Sequence, residues 1–435
     1  MKILKTIGKV LLVIVGVLAV FTLFMIIYLS LRYSPEYMNR EIFHNLNTVY
    51  DYRFFPERKL TASPKPFSFA VDTSLESLVP EAFQSGPKIS DLDEFLEKTD
   101  TQAFLVIQDD DLIYERYFKG QERDSIVTSF SVAKSFTSAL IGIAIQEGFI
   151  KSVGDQITDY IPELAERDPR FQNIQIRDLL MMASGLRFTE EGGLPSTNDG
   201  SLTYSFDDLR KLALTETKIV EPPGKTFVYN DYNPILLGII LERTTGKPVT
   251  TYLQAKIWNP VGMEYGGSWS MDSEEKGFEK MFVGINARAI DFAKFGRLYL
   301  NNGNWDGNQI VPSEWVTRTI QDSGLIPDDK VHYGYLWWAY RCTPDTTDFA
   351  AFGDHGQYIY VSPEKKLIVT RNGEEYGLKG ETMEWAEIFC RFAKAMPEPG
   401  AGHESQIPLY QWCPGDGEVK FFSPYKRRPL LSGER

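Results

Sequence analysis

The hydrophobic pattern begins with a long apolar run near the start of the chain. Residues 10–31 carry no charged side chain, whereas three lysines lie within residues 1–9 and Arg32 closes the run. A run of this length is enough for a helix to cross a bilayer. A cleaved signal peptide would have a shorter apolar core and a small-x-small site, which residues 28–33 lack. We therefore predict a single-pass, uncleaved membrane anchor. Its lysine-rich N-terminus is expected in the cytoplasm and the remaining chain in the periplasm or outside the cell.

The next part of the chain has no regular period. Residues 32–90 are rich in proline, serine and aromatic side chains, and we interpret them as a spacer that also straps against a main domain at residues 91–396. Within that domain, apolar stretches at 103–108 and 112–118 flank three aspartates and predict a β-hairpin. The aspartates could bind a cation, but turns favour Asp for local reasons, so the pattern indicates a solvated turn.

Helical spacing of apolar positions dominates the middle of the main domain. Predicted helices cover residues 131–147, 176–183, 235–242, 252–258, 286–298 and 382–395. Predicted strands near the end cover residues 333–338, 349–361 and 367–371. The polar, glycine-rich residues 187–204 predict a loop over a site, and residues 397–435 a tail. Strands at both ends with helices between them predict an α+β fold whose sheet joins chain-distant segments.

Composition narrows the functional classes. The chain has 435 residues and a formal net charge of −13, which argues against a nucleic-acid partner because such proteins present a basic face. Three cysteines and four histidines are too few and too scattered to predict a metal site. One disulfide among Cys342, Cys390 and Cys413 is compatible with the sequence, which does not indicate the pairing. No cofactor is expected.

Candidate chemistry begins at the most apolar helix of the main domain, which carries Ser131 and Lys134 in its first turn. Residues three apart share a helix face, so the lysine amine can reach the serine hydroxyl. That hydroxyl is a weak nucleophile until an adjacent base takes its proton, and apolar surroundings would lower the lysine pKa. The same spacing recurs four times elsewhere in the chain, so by itself it also fits a helix start with a snorkelling lysine.

Two further motifs follow in the chain. They are Tyr229-Asn230-Asp231 and the glycine-bearing segment Phe352-Gly353-Asp354-His355-Gly356-Gln357-Tyr358. With Ser131-x-x-Lys134 they resemble, in order, the serine beta-lactamase-like and penicillin-binding hydrolases. The similarity is greatest to class C-like esterases, D-amino-peptide hydrolases and 6-aminohexanoate-dimer hydrolases. This resemblance covers residues 95–395 and implies a beta-lactamase/transpeptidase-like fold, with an antiparallel sheet flanked by helices and an all-helical subdomain.

The resemblance also implies an acyl-enzyme mechanism on a small-molecule substrate. Ser131 would be the nucleophile, and Lys134 and Tyr229 would form the general-base pair, although which of them takes the proton stays open. The oxyanion would be held by the amide of Ser131 and by one amide near Gly353.

The third motif departs from the family, whose Lys-Thr-Gly is absent, so its register has two alternatives. Aligning Gly353 with the family glycine puts the second oxyanion amide at Asp354. Aligning Gly356 with it puts that amide near Tyr358. We favour the first register because Gly353 then lies closer to its expected distance from Pro363.

Two substitutions bear on the substrate. The lysine that would meet a beta-lactam carboxylate is missing, and His355 is a weaker, pH-dependent substitute, which favours ester or small-amide substrates. Asp231 stands where the family has Asn. Its carboxylate would either attract a cationic substrate end or pair with Lys134.

Aromatic side chains could line an apolar cleft at this site or fill the core. They are Tyr335, Trp337, Trp338 and Tyr358.

We therefore expect a membrane-anchored serine hydrolase acting on esters or small amides. The alternatives are a D-Ala-D-Ala-type peptidase or beta-lactamase, and a catalytically silent envelope binding or sensor protein on the same fold. A Ser-His-Asp hydrolase that uses His355 would lack the expected nucleophile elbow.

Overall fold

The computed structural model describes residues 2–44, 48–84, 89, 91–190, 198–321, 324–326, 328, 330–343, 345–378 and 384–400. Within them, α1–α14 span Lys2–Arg32, Pro35–Met38, Leu78–Gln84, Leu92–Lys98, Val132–Gln146, Pro162–Arg167, Ile176–Leu180, Asp199–Ser205, Leu209–Glu216, Tyr232–Thr245, Val249–Leu253, Ala289–Leu300, Ser313–Thr319 and Trp385–Ala395. Strands β1–β14 span Glu57–Leu60, Ala70–Val71, Thr101–Gln108, Asp111–Tyr117, Val127–Thr128, Gly267–Ser270, Ile285–Ala287, Asn304–Trp305, Asn308–Gln309, Val331–Tyr333, Trp338–Arg341, Thr347–Gly353, Gln357–Ser362 and Leu367–Gly373.

An eight-stranded sheet with the order β10-β11-β12-β13-β14-β3-β4-β2 forms the centre of the domain. It is antiparallel except that the short β2 runs parallel to β4. Because β14 pairs with β3, the two ends of the domain meet in one sheet, as predicted. A second sheet, β1-β6-β7-β5, places β5 just before the helix that carries Lys134. The α+β architecture is confirmed.

Helices cover both faces of the central sheet. Gly296 of α12 lies against Ile359 and Ile368, and a Cβ at this glycine would come within 2.9 Å of both side chains. Phe389 of α14 packs instead on Tyr358 and Tyr360. Since successive strand residues point to opposite faces, α12 and α14 cover opposite sides of β13. The helices α5, α7, α9 and α11 all pack on α10, which gives a helical layer beside the sheet.

The predicted hairpin is present, and its acidic turn is explained by ion pairs. Asp109 and Asp110 have left-handed φ angles of 51° and 72°, a conformation that Asp tolerates better than most residues. The carboxylate of Asp110 lies 2.7 Å from Arg297, and that of Asp109 lies 2.8 Å from Lys366. Asp109 and Asp110 therefore form the turn of the hairpin, and the two ion pairs hold it.

The prediction of a loop over residues 187–204 is wrong in its last part, where α8 forms. The side chain of Asn198 accepts a hydrogen bond from the amide of Ser201 at 2.8 Å and caps this helix. Residues 191–197 lie outside the described residues. The start of the predicted closing helix, 382–383, and the tail from residue 401 onward also lie outside them.

The disulfide left open by the sequence joins Cys342 and Cys390, whose Cα atoms are 5.4 Å apart. It links the residue that follows β11 to α14, the helix that packs on one face of the sheet. Cys413 lies outside the described residues. Disulfides persist mainly in oxidising compartments.

The N-terminal helix α1 stands apart from this fold. Its segment Thr6–Tyr28 is long and apolar enough to cross a membrane, and none of it is buried against the rest of the chain. A membrane anchor and a signal sequence share these properties.

Candidate active site

The nucleophile candidate sits where β5 turns into the most apolar buried helix. Phe130 has a left-handed φ of 42°, and Ser131 occupies the N-cap position of α5. Residues 132–144 of this helix are all buried, so the apolar pattern fixes the helix against the sheet. Ser131 is 5% exposed. The first turn of α5 therefore presents the hydroxyl at a fixed position beside a helix N-terminus, which favours negative charge.

The amine of Lys134 contacts that hydroxyl, as the spacing predicts. Its Nζ lies 2.8 Å from Ser131 Oγ and 2.8 Å from Asp231 Oδ1. It also donates to the carbonyl oxygen of Phe282 at 3.3 Å. The predicted alternatives for Asp231 are thereby decided within this structure, since its carboxylate pairs with Lys134.

The predicted direction of the Lys134 pKa is wrong. Burial does lower the pKa of this amine and is the largest single cause, but the carboxylate of Asp231 and the hydroxyl of Tyr229 raise it by more together. The net result is a pKa above the ordinary lysine value. An opposite charge within hydrogen-bond distance stabilises the ammonium, so Lys134 is held as a cation.

Tyr229 completes the group around the amine. Lys134 Nζ lies 4.6 Å from the centre of the Tyr229 ring. The ring stacks on Trp338 at 6.1 Å and meets Tyr333 edge-on at 6.2 Å. The preceding amide, of Val228, donates to the carbonyl of Met182 at 2.8 Å. These contacts fix Tyr229 immediately before α10.

The Tyr-Asn-Asp motif divides two tasks between its polar residues. Asn230 accepts a hydrogen bond from the amide of Tyr232 at 2.9 Å and donates to the carbonyl of Leu186 at 3.1 Å. Asp231 occupies the N-cap position of α10, but its side chain makes no capping hydrogen bond. The asparagine thus holds the backbone, and the carboxylate of Asp231 is directed to Lys134.

The third motif reaches the site through the last residue of β12. A Cβ added to Gly353 would lie 2.4 Å from the carbonyl oxygen of Ser129 and 3.0 Å from the amide nitrogen of Ser131. Only glycine permits this approach. Gly356 lies elsewhere, with φ 75° and its Cα facing the Arg371 guanidinium, where a Cβ would be 2.1 Å from Nη1. Gly353 is therefore the motif glycine that touches the backbone of the nucleophile.

His355 lies beside the site in a different role from that of a triad base. Its ring packs on Phe130 with centroids 4.9 Å apart, and its Nδ1 is 3.1 Å from the carbonyl oxygen of Glu374. A triad needs that nitrogen hydrogen-bonded to a buried carboxylate. Here the carboxylate of Glu375, more than half exposed, is 3.6 Å away. This geometry disfavours the Ser-His-Asp hypothesis.

The four aromatic candidates separate into core and site. Trp337 is fully buried against Tyr299 and Phe349. Tyr335 packs on Trp315, and Tyr358 packs on Phe352 and Phe389. Trp338 alone of the four stacks on a predicted site residue, Tyr229.

Sequence reasoning missed two features of the site. One is the segment 280–283, in which the Phe282 carbonyl accepts a hydrogen bond from the Lys134 amine. Its sequence signal is weak, a charged pair, Glu279-Lys280, before a short apolar run at 281–283. The other is residues 48–55, which pack beside the nucleophile turn. No sequence signal indicates that contact.

Comparison with known proteins agrees with the ordered motifs. The sequence matches the family described as Beta-lactamase over residues 92–372. It is 25% identical over 312 residues to the 6-aminohexanoate-dimer hydrolase of Paenarthrobacter ureafaciens, covering 65% of this chain and 75% of that protein. It is 24% identical over 266 residues to the teichoic acid D-alanine hydrolase of Staphylococcus aureus, covering 58% of this chain and 63% of that protein.

A solved structure shows the same fold. It is that of a Bacillus anthracis protein described as a candidate 6-aminohexanoate-dimer hydrolase, with a TM-score of 0.69 and 24% identity. The similarity covers 79% of this chain and 92% of that one.

Proposed function

The chain belongs to the beta-lactamase family and is a serine hydrolase, and from this premise we propose that Ser131 is its nucleophile in a membrane-anchored enzyme for small esters or amides. The observation that carries the assignment is the 2.8 Å contact between Ser131 Oγ and the buried Lys134 amine at the start of α5. The tyrosine of the second motif lies against the same amine.

The acylation step follows from these positions. Ser131 Oγ attacks the substrate carbonyl while its proton passes to the phenolate oxygen of Tyr229, and the carbonyl electron pair moves to the oxyanion. When the carbonyl re-forms, the bond to the leaving group breaks and the leaving group takes a proton from Tyr229. Water then attacks the acyl-enzyme and gives its proton to Tyr229. When the bond between the acyl carbon and Ser131 Oγ breaks, Tyr229 returns that proton to Oγ, which releases the acid and free Ser131.

Lys134 enters this scheme as a cation. Asp231 and Tyr229 keep its amine protonated, and an ammonium cannot accept the Ser131 proton. It can stabilise the phenolate form of Tyr229 and fix Ser131 Oγ by donating a hydrogen bond. We therefore assign the proton transfer to Tyr229 and the electrostatic support to Lys134.

We propose that the amides of Ser131 and Asp354 bind the oxyanion. The support is the close approach of Gly353 to the Ser131 amide, which favours the first register of the third motif. His355 and Gly356 follow Asp354 and shape the turn beside the site. Losing one oxyanion donor typically lowers the rate by about a hundred- to a thousandfold.

We infer the substrate class from the residues that make up the third motif. Where relatives that bind a carboxylate have a lysine, this chain has no basic residue in the favoured register, so an acidic beta-lactam lacks a cationic partner there. Two relatives are named as hydrolases of the 6-aminohexanoate dimer and of teichoic acid D-alanine. We propose a small, non-cyclic ester or amide as the substrate.

Localisation is proposed from two features together. Helix α1 has the length and composition of a membrane anchor. The Cys342–Cys390 disulfide fits an oxidising compartment. Both support a catalytic domain held outside the cytoplasmic membrane.

The test uses the full-length chain in detergent, a fluorophosphonate probe and p-nitrophenyl acetate. Wild type should be labelled at Ser131 and should turn the ester over, whereas Ser131→Ala should do neither. Ser135→Ala is the matched control, because Ser135 is buried on the same helix and donates to the carbonyl of Leu336 at 2.8 Å. Folded wild type that shows neither labelling nor turnover would overturn the proposal and favour a silent binding protein.

Substrate class is tested with the same preparation. A panel of D-alanyl esters, D-alanyl amides, linear amides and penicillins should give higher kcat/KM for the non-cyclic substrates. Faster turnover of penicillins would instead assign a beta-lactamase, and preference for D-Ala-D-Ala peptides would assign a peptidase.

A further inference from the structure

Residues 48–55, here called the wall segment, pack against the part of the chain that precedes the nucleophile. The carboxylate of Asp51 is 2% exposed and accepts hydrogen bonds from the Tyr204 hydroxyl at 3.0 Å and the Thr48 hydroxyl at 2.7 Å. A buried carboxylate with such donors holds its segment in one place. The wall segment is thus fixed to α8, which carries Tyr204.

A buried lysine connects the wall segment to the catalytic amine. Lys280 Nζ lies 4.1 Å from the ring centre of Phe55 and 4.8 Å from that of Tyr204, and it donates to the Tyr204 carbonyl. The same nitrogen lies 5.4 Å from the ring of Phe282. The carbonyl of Phe282 in turn accepts the hydrogen bond from Lys134. Contacts from the wall segment therefore reach the catalytic lysine through two intermediate residues, Lys280 and Phe282.

The wall segment and the residues just before Ser131 line one narrow crevice. A crevice of about 10 Å³ separates the wall segment from Thr128 and Phe130, the residues just before Ser131. Such a space holds no more than about one water molecule. The wall segment is therefore a packed side of the site.

The chain before the wall segment is also anchored. Tyr37 is fully buried, and the Arg40 guanidinium donates to the carbonyls of Ser205 and Asp272 at 3.1 and 2.7 Å. Arg40 also lies over the Phe55 ring at 4.6 Å. Buried contacts thus begin within a few residues of the end of α1 at Arg32.

We propose that the wall segment is part of the active site and that Asp51 and Lys280 are positioning residues, which hold Tyr204 and Phe282 so that Lys134 stays aligned with Ser131. The proposal rests on the function proposed above. It makes catalysis dependent on the chain that directly follows the apolar helix.

The surroundings of Lys280 favour a role in positioning over a role in stability. Burial, together with the Arg40 cation, lowers its pKa well below the ordinary lysine value. Burying the charge of an amine costs free energy, so an apolar side chain in its place offsets the lost hydrogen bond to the Tyr204 carbonyl. If Lys280 had only a structural role, an apolar replacement would change neither stability nor kcat by much. If it is a positioning residue, the same replacement should lower kcat.

The experiment compares Tyr204→Phe and Lys280→Met with wild type, all as full-length chains in detergent. Tyr114→Phe is the matched control, because Tyr114 also donates its hydroxyl to an aspartate, Asp93, away from the site. Active sites are titrated with the fluorophosphonate probe, and kcat and KM for p-nitrophenyl acetate are measured per titrated site. Thermal unfolding midpoints are recorded for each chain.

Both site variants should lose roughly tenfold or more in kcat with KM changed less than about twofold, because small misplacements of catalytic groups are costly. The control should keep the wild-type kcat, and Lys280→Met should keep the wild-type midpoint. Wild-type kcat per titrated site in both variants would overturn the positioning role. Wild type that fails to label at Ser131 would instead overturn the proposed function on which the inference rests.

Discussion

Two buried lysines in this chain sit next to an aspartate, yet their surroundings assign them different tasks. Lys134 Nζ is 2.8 Å from Asp231 at the start of α5, and Lys294 Nζ is 3.0 Å from Asp291 within α12. The side chain of Lys294 and that of Asp291 are fully buried. Proximity to a carboxylate is therefore common to both regions and does not by itself mark a catalytic centre.

The difference lies in the remaining neighbours of each amine. Lys294 also donates to the carbonyl of Gly262 at 3.1 Å and forms an ion pair with the carboxylate of Glu264 at 3.1 Å, and these contacts hold it in place. The third neighbour of Lys134 is the hydroxyl of Ser131, which can both give and accept a proton. The Lys294 amine thus holds α12 to residues 262–264, whereas the Lys134 amine faces a hydroxyl that can react.

The largest effect should come from removing the catalytic amine. Lys134→Met leaves Ser131 without its donor and Tyr229 without a neighbouring cation, so kcat/KM for p-nitrophenyl acetate should fall by roughly a hundred- to ten-thousandfold. Ester hydrolysis and fluorophosphonate labelling measure this directly. Retention of more than about a tenth of wild-type activity would show that the two lysine environments are not functionally different.

The converse change should affect stability. Lys294→Met leaves the fully buried Asp291 without its cation, whereas Glu264 keeps Arg123 at 3.8 Å, and the free energy of unfolding should fall by roughly 3–5 kcal/mol. Denaturant unfolding of the full-length chain measures the loss. Activity per titrated active site should match wild type, and a specific fall in kcat would place Lys294 in the catalytic network.

A steric change tests the same region without altering a charge. Gly353 has φ −133°, which any residue adopts, so alanine there adds only a methyl group. That methyl would meet Ser129 O at 2.4 Å and Ser131 N at 3.0 Å. We expect Gly353→Ala to lower kcat by roughly a hundred- to a thousandfold by displacing an oxyanion donor.

Gly154→Ala is the control for this substitution, since the atom nearest to its added Cβ is Ser152 Oγ at 3.4 Å. It should leave kcat unchanged. If Gly353→Ala also left kcat unchanged, the first register of the third motif would be wrong.

These regions differ in how far the sequence predicts them. The contact of Ser131 with Lys134 depends only on helix spacing, so three residues of separation were enough. The acidic turn at Asp109–Asp110 followed from local turn chemistry. The pairing of β14 with β3 required the ordered pattern of strands at both ends of the domain.

What the sequence could not predict depends on residues that only the fold brings together. The predicted direction of the Lys134 pKa was wrong because it counted burial alone, while the sequence left the pairing of Asp231 with Lys134 as one of two alternatives. The Asp51–Tyr204 hydrogen bond spans 153 residues and carries no periodic signal. Helix α8 depends on one cap, Asn198, in a stretch whose glycines and serines favoured a loop.

The smallest expected effect is on the pH dependence of Ser131 labelling, and it distinguishes the two lysines by whether losing their aspartate changes that dependence. In Asp231→Asn a cause that raises the Lys134 pKa is removed while burial, which lowers it, remains, so the pKa must fall. In wild type the ammonium persists up to and beyond the ordinary lysine value of about 10.4. If catalysis needs this cation, the alkaline decline in the rate of Ser131 labelling should move to lower pH in the variant. Asp291→Asn should leave the profile in place, since its lysine does not face the nucleophile. A labelling rate that rises, instead of falling, as Lys134 loses its proton would make the neutral amine the base and return Tyr229 to a supporting role.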